Sequence, residues 1–170
     1  MDQIKTYNNR GMLLEKIINN TINHYSKNRI AFFNKKTLNI KFKTVKHQNT
    51  QAQIDAGYIA SKSTVDYYGL YQGHYISFEA KSTELDHLPW ANIQLHQHQH
   101  LKLIKEFGGW AFYLLLFKKY NRIFLVDVDL FDLQDNNKKS ISLKEIENNA
   151  LELELIFPGI IDFLAYFPYR

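Results

Sequence analysis

The sequence contains no cysteine among its 170 residues, so disulfide bonds and thiolate metal sites are excluded. No apolar run approaches the roughly 18 residues that a membrane-spanning helix needs, and the N-terminus lacks the apolar core of a secretory signal. We therefore predict a soluble, cytoplasmic protein with no membrane partner.

The composition favours one folded domain over a disordered chain. Hydrophobic residues make up 45% of the sequence and aromatic residues 15%, which is enough to build a sizeable core. At this length we expect a single domain that spans positions 1–170. The net charge of +4, with histidine counted as neutral, permits a polyanionic partner without requiring one.

Hydrophobic periodicity predicts the order of helices and strands. We predict strands at 30–34, 40–45, 65–71, 74–81, 110–117 and 122–128. We predict helices at 8–28, within 87–109 with Pro89 at the first helical position and Gly108 at the C-terminal stop, and from Ser142 onward. This order indicates an α/β domain in which helices flank a mixed sheet. The Gln-rich segment 46–62 has no decisive period, so a protruding functional element and an ordinary loop both stay open.

The stretch "STVDYYGLYQGHYISFEAK", residues 63–81, predicts a β-hairpin that gathers charged side chains on one face. If Gln72-Gly73 forms the turn, Tyr71 pairs with His74, and the numbers of any two paired residues sum to 145. Asp66 then faces Glu79, and Thr64 faces Lys81. Because strand side chains alternate with period two, all four side chains share a face.

Such a pair of acids needs a compensating charge. Two carboxylates about 5 Å apart repel by on the order of 3 kcal/mol at an effective dielectric of about 20. Protonation of one acid or a bound cation relieves this repulsion, and Lys81 offsets part of it. Two carboxylates with a few neutral oxygens suffice for Mg²⁺, which polarises a phosphodiester and activates water for its hydrolysis. Solvated charges on an open sheet face are the simpler alternative.

The second helix carries two further polar features. Gln97 lies on the stripe that should be apolar, so its amide needs a buried partner. In "HLPWANIQLHQHQH", His96 and His100 lie four residues apart and could bind zinc, whereas His98 is expected to point away from them. Because no third ligand at a fitting spacing is evident, we favour a surface face of His and Gln side chains that contacts the DNA backbone or water.

Four segments resemble the RecU-type Holliday junction resolvases. They are "NRGMLLEKIIN" (9–19), "STVDYYGLYQGHYISFEAKST" (63–83), "NIQLHQHQHLKLI" (92–104) and "PGIIDFL" (158–164), in order over nearly the whole chain. The resemblance implies a restriction-endonuclease-like fold, a homodimer, cleavage of four-way junction DNA and a role beside the recombination and repair machinery. It also implies Mg²⁺ as the cofactor, with Mn²⁺ as a substitute.

The resemblance further assigns residues to roles. The metal-site positions fall on Thr64, Asp66, Glu79 and Gln97, and Lys81 stabilises the transition state. Glu15 resembles an acid found in the first helix of related nucleases and is expected to add an outer-shell carboxylate. Residues 38–62 are expected to form a stalk that enters the junction. The candidate DNA contacts are Arg10, Lys41, Lys43, Lys46 and Lys62.

The stalk segment departs from the family pattern, which leaves alternative functions open. It reads "KHQNTQ" at 46–51, where the family usually has an arginine-containing sequence. One alternative is a junction-binding or bridging module with weak or no cleavage. Others are a general DNA endonuclease of the same fold and a zinc hydrolase that uses the histidine cluster.

Overall fold

A computed structural model describes residues 12–37, 39–48, 51–61, 65–132 and 138–167. The helices are α1 (Met12–Lys27), α2 (Leu95–Glu106) and α3 (Leu143–Asn149). The strands are β1 (Phe32–Lys35), β2 (Asn39–Gln48), β3 (Gln51–Ser61), β4 (Tyr67–Tyr71), β5 (His74–Thr83), β6 (His87–Pro89), β7 (Trp110–Phe117), β8 (Arg122–Asp127), β9 (Ser140–Ser142), β10 (Leu151–Leu153), β11 (Leu155–Ile156) and β12 (Ile160–Ile161). Within these ranges, no helix is long and apolar enough to span a membrane.

The central sheet has six strands in the order β1-β4-β5-β7-β8-β10. Strands β5 and β7 are parallel, whereas every other neighbouring pair is antiparallel. A parallel pair needs a long crossover connection, and the chain between β5 and β7 supplies one that contains α2. The predicted mixed sheet with flanking helices is therefore confirmed.

Strands β2 and β3 form a separate two-stranded antiparallel sheet. The segment 46–62, whose state the sequence left open, thus contributes the end of β2 and all of β3. The pairing of the two strands shifts register at three places, between Asn39 and Val45. Such irregularities twist and bend a β-ribbon.

The β4–β5 hairpin has the predicted register. Tyr71 pairs with His74 and Tyr67 pairs with Phe78. Gln72 and Gly73, the two turn residues, have φ angles of 48° and 82°. Positive φ at both central positions is the condition for a type I′ turn, whose twist matches that of the flanking strands. Asp66 directly precedes β4, so the same register brings it beside Glu79.

Two hydrophobic layers cover the faces of the sheet, and β7 contributes to both. Its residues Phe112, Leu114 and Leu116 pack on the α1 side. The alternate residues of β7 pack with Leu101 of α2 and Ile146 of α3 on the other side. A strand buried on both faces reads as a continuous apolar run, which explains "WAFYLLLF". The α2 side is the face on which Glu79 lies.

Helix α1 buries the predicted stripe of Leu14, Ile17, Ile18, Ile22 and Tyr25. The C-terminal segment packs against this helix through polar contacts. The Ile161 amide donates to the Thr21 hydroxyl at 3.0 Å, and the Tyr25 hydroxyl donates to Asp162 at 2.7 Å.

The capping box predicted for α3 is present and consists of Ser142 and Glu145.

The predicted start of the second helix at Pro89 is wrong. Residues His87–Pro89 instead form β6, which pairs with β9, and Trp90–Asn92 make a 3₁₀ turn before α2 begins at Leu95. The Trp90 amide donates to the Lys139 carbonyl at 2.9 Å. Backbone pairing with a segment about fifty residues away overrides the local helical signal of Pro89. The predicted helix end holds, since Gly108 follows α2 with a φ of 82°.

Gly69 permits a close approach of β1 to β4, and we expect Gly69→Ala to destabilise the fold. A Cβ atom there would lie 2.3 Å from both the Phe32 carbonyl oxygen and the Phe33 ring. Because overpacking forces backbone shifts, the free energy of unfolding should fall by about 1–3 kcal/mol. Urea denaturation measures this loss. Leu70→Ala, at a half-exposed neighbour, serves as the control, and a parent-like midpoint for Gly69→Ala would contradict the prediction.

Candidate active site

Two acidic side chains lie together where β4 and β5 meet the α2 layer. Glu79, in the middle of β5, is completely buried. Asp66, at the entry to β4, is partly buried, and its Oδ2 accepts from the Ala80 amide at 3.4 Å. Because Asp66 precedes the strand and Glu79 lies inside it, one carboxyl group is accessible from solvent and the other is not.

Lys81 and Gln97 complete a polar cluster around Glu79. Gln97 Nε2, reaching from α2, donates to Glu79 Oε1 at 2.7 Å. Lys81 Nζ donates to Gln97 Oε1 at 2.9 Å and lies 3.1 Å from Glu79 Oε2. The amide that the sequence placed on the apolar stripe is thus buried and bonded to both an acid and a base. The four side chains, Asp66, Glu79, Lys81 and Gln97, form the acidic cluster.

The environment of Glu79 opposes its ionisation. Burial and then the negative charge of Asp66 raise the pKa of Glu79 to about 8, and the Lys81 ammonium partly counteracts this shift. Without a further cation, Glu79 is therefore mostly protonated at neutral pH. A buried acid held in this way is typical of functional sites, where charge is arranged for a ligand or a reaction.

The acidic cluster fits a divalent cation. Glu79 Oε2 is buried and has no hydrogen-bond partner of good geometry among the described residues, although Lys81 is near. Carboxylate and amide oxygens are the ligands that Mg²⁺ and Mn²⁺ prefer. With both acids ionised and Lys81 charged, the cluster carries one net negative charge. A divalent cation changes this to one net positive charge, which complements a phosphodiester.

The RecU family model, described as recombination protein U, matches residues 9–168. The chain belongs to the RecU family. Two relatives named Holliday junction resolvase RecU support this assignment. That of Mycoplasmopsis pulmonis is 42% identical over 93% of each chain. That of Ureaplasma parvum is 37% identical over 91% of this chain and 89% of its own.

A solved structure supports the fold of this RecU-family chain. Hjc of Archaeoglobus fulgidus, a Holliday junction resolvase, superposes with a TM-score of 0.50 and covers 81% of this chain and 94% of its own. Its sequence is only 14% identical, so the similarity concerns the fold alone. The mixed sheet with flanking helices is therefore the restriction-endonuclease-like fold, as predicted.

Glu15, the predicted outer-shell acid, lies in the first turn of α1 of the RecU-family chain and is not one of the four side chains of the acidic cluster. Its carboxylate is paired with Lys35 at 2.6 Å, and both side chains are nearly half exposed. Burial raises the pKa of the Tyr67 hydroxyl, and the charges of Glu15, Asp66 and Glu79 raise it further. The Tyr67 hydroxyl thus lies within electrostatic range of all three acids.

The predicted DNA-contacting residues are spread over the chain. Arg10 and Lys62 lie outside the described residues, as does Thr64, the predicted metal-site residue. Lys41 and Lys43 are exposed on β2. Lys46 lies further along β2, paired with Gln53. These three lysines thus share the two-stranded β2–β3 sheet, which is separate from the six-stranded sheet that carries the acidic cluster.

A pocket of about 310 Å³ opens beside Lys81. It is lined by β5 and by the turn that leads into α2, with Asn92 and Gln94 supplying exposed amides. Because Lys81 belongs both to this pocket and to the acidic cluster, a chain of polar groups leads from solvent to Glu79.

His98, which the sequence places away from His96 and His100, has a structural role that the sequence pattern did not predict. It is buried, with Nδ1 3.1 Å from the Tyr113 hydroxyl and Nε2 2.8 Å from Asp132 Oδ1. The signal that could have found it is the spacing of three residues to Leu101, a fully buried position. In the described part of the chain, no group of three or more His, Cys, Asp or Glu side chains is placed to hold a metal ion by itself.

Proposed function

We propose that this protein is an endonuclease that resolves four-way (Holliday) DNA junctions by metal-dependent phosphodiester hydrolysis, with Mg²⁺ as the cofactor and Mn²⁺ able to replace it. The observation that carries the proposal is the buried Glu79 beside Asp66, Lys81 and Gln97 in a chain of the RecU family. Solvent access through Asp66 and Lys81 lets a phosphate approach the cluster, whose other two members, Glu79 and Gln97, are buried.

Each member of the cluster has a distinct role in this mechanism. Asp66 and Glu79 supply the anionic oxygens that hold the cation, and Gln97 supplies a neutral oxygen and fixes Glu79 by its N–H bond. A bound divalent ion would polarise the phosphate and lower the pKa of the attacking water. Lys81 stabilises the negative charge that develops on the phosphate oxygens. Thr64 is proposed as a further ligand, and Glu15 as an outer-shell acid.

The substrate's symmetry supports a dimeric enzyme. A four-way junction presents two equivalent strands, and a two-fold homodimer presents two equivalent active sites, one for each strand. We propose that residues 38–62, which include the β2–β3 sheet, form a stalk that enters the junction. Lys41, Lys43, Lys46, Lys62 and Arg10 would contact the phosphate backbone. The protein would act in the cytoplasm together with recombination and repair proteins.

Cleavage of a mobile four-way junction tests the proposal. The protein is incubated with the junction in Mg²⁺ and with a linear duplex of the same sequence, and the nicks are mapped. We expect paired nicks in opposed strands of the junction and little cleavage of the duplex. A gel shift in Ca²⁺ measures binding separately from cleavage.

Three outcomes would contradict the proposal in different ways. Equal cleavage of junction and duplex would indicate a general endonuclease. Binding of the junction without cleavage in Mg²⁺ or Mn²⁺ would indicate a bridging module. Stoichiometric zinc in the purified protein, with zinc-dependent hydrolysis, would indicate the histidine-based alternative.

A further inference from the structure

The buried histidine of α2 connects three parts of the fold. His98 Nε2 lies 2.8 Å from Asp132 at the end of the 3₁₀ segment Val128–Asp132, and Nδ1 lies 3.1 Å from the Tyr113 hydroxyl on β7. A neutral imidazole satisfies both bonds at once, because Nε2–H donates to the carboxylate and Nδ1 accepts from the phenol. Both ring nitrogens are therefore occupied with structural partners.

These contacts lie directly beside the acidic cluster. Gln97, which holds Glu79, is the preceding residue of α2. Tyr113, which holds His98, is the neighbour of Glu79 in the parallel register of β5 and β7. Helix α2 is thus attached to two adjacent strands by consecutive residues. Gln97 contacts Glu79 on β5, and His98 contacts Tyr113 on β7. A rotation or shift of α2 that broke the His98–Tyr113 contact would also change the Gln97–Glu79 contact.

The other polar ties of α2 are on the surface. Lys102 bonds Asp129 and Asp132, and Lys105 bonds Asp127 and Asp129. These ion pairs attach the later turns of the helix to the end of β8 and the segment after it. Exposed ion pairs constrain a helix weakly, so the buried His98 contact is the one that fixes the turn carrying Gln97.

We propose that His98 is a positioning residue that sets the reach of Gln97 to Glu79 and thereby the affinity of the acidic cluster for its divalent cation. The inference rests on the proposed function in assigning a cation to this cluster. Partners beyond the ligands themselves commonly tune a metal site, and their loss weakens metal binding about 10–100-fold. His98 would act in this way through the helix rather than by touching the ion.

Four variants test the role of His98. His98→Leu keeps the packing volume but removes both bonds, and His98→Gln restores a side chain that donates and accepts. Tyr113→Phe removes only the hydroxyl, which keeps the test informative if His98→Leu does not fold. Gln99→Ala changes an exposed residue of the same helix and is the matched control.

Calorimetric titration with Mn²⁺, without DNA, gives a readout that is independent of cleavage. For His98→Leu we expect the Mn²⁺ dissociation constant to rise about 10-fold, and for His98→Gln to stay within about threefold of the parent. Tyr113→Phe should show an intermediate loss. A further variant that combines His98→Leu with Tyr113→Phe should resemble His98→Leu alone, because both changes break one network. Gln99→Ala should bind like the parent.

Junction cleavage then separates positioning from a purely structural role. The loss should appear as a higher metal concentration for half-maximal rate, with near-parental kcat and KM once Mn²⁺ saturates. Folded His98→Leu and Tyr113→Phe with parental Mn²⁺ affinity would overturn the inference, as would a His98→Gln that binds Mn²⁺ as poorly as His98→Leu. A parent that binds Mn²⁺ but cleaves no junction would refute the proposed function and leave the positioning role standing.

Discussion

Replacing Glu79 by Gln is expected to abolish junction cleavage while leaving junction binding intact. The substitution keeps the shape of the side chain but removes the buried anionic oxygen that the cation needs. Because a metal ion stabilises the transition state by several kcal/mol, the cleavage rate should fall by about 10³-fold or more. Single-turnover cleavage in Mg²⁺ measures the rate, and a gel shift without divalent ions measures binding.

Asp66→Asn should have the same effect, since it removes the other anionic oxygen. The matched control is Glu84→Gln, because Glu84 follows the same strand and pairs with Lys118 at the surface, outside the acidic cluster. It should cleave like the parent. An equal loss of binding and cleavage in Glu79→Gln would mean that Glu79 supports the DNA-binding surface and not the chemistry. Parental cleavage would remove Glu79 from the mechanism.

The parts of this site that local pattern controls were predictable. Hairpin register follows from one two-residue turn, so identifying Gln72-Gly73 was enough to bring Asp66 beside Glu79. Gln97 was recognisable because a helix stripe that is otherwise apolar makes a polar member conspicuous. Both inferences needed only the periods of strand and helix, which are fixed by backbone geometry.

The parts that depend on distant segments were not predictable in the same way. Strand β6 exists because β9, about fifty residues later, pairs with it, and no local pattern around Pro89 contains that information. His98 is satisfied by Tyr113 and Asp132, which come from a strand and a 3₁₀ segment beyond the helix. Because His98 lies between His96 and His100 in the sequence, it looks like part of an exposed histidine cluster until its buried partners are known.

The stability of the metal-free protein is expected to fall as pH rises, and Glu79 is the cause. In the folded state Glu79 has a pKa raised to about 8, chiefly by burial, whereas the unfolded chain releases this proton near 4.5. Between these values the folded state binds more protons, so unfolding is favoured as pH increases. The free energy of unfolding should decrease by up to about 1.4 kcal/mol per pH unit from this residue and level off above pH about 8.

Urea denaturation in EDTA between pH 5 and 9 measures this dependence, with Glu79→Gln as the comparison that cancels the titration of the histidines. The difference in stability should grow in favour of Glu79→Gln as pH rises. In Asp66→Asn, burial still raises the pKa of Glu79, but the repulsion from the Asp66 carboxylate is gone, so the pKa of Glu79 is raised less. The stability should therefore fall over a narrower pH range than in the parent. Parallel curves for the parent and Glu79→Gln would contradict a buried, protonated Glu79.

Mg²⁺ should reverse the loss of stability at high pH. A ligand that binds only the folded state stabilises it by RT ln(1 + [L]/Kd), where [L] is the concentration of free ligand, and a cation competes directly with the proton on Glu79. At pH about 8.5 the parent should therefore gain stability with added Mg²⁺, whereas Glu79→Gln should gain little. Equal stabilisation of both would place the bound ion elsewhere on the molecule. Because unfolding is measured without DNA, this result tests the acidic cluster independently of any nuclease assay.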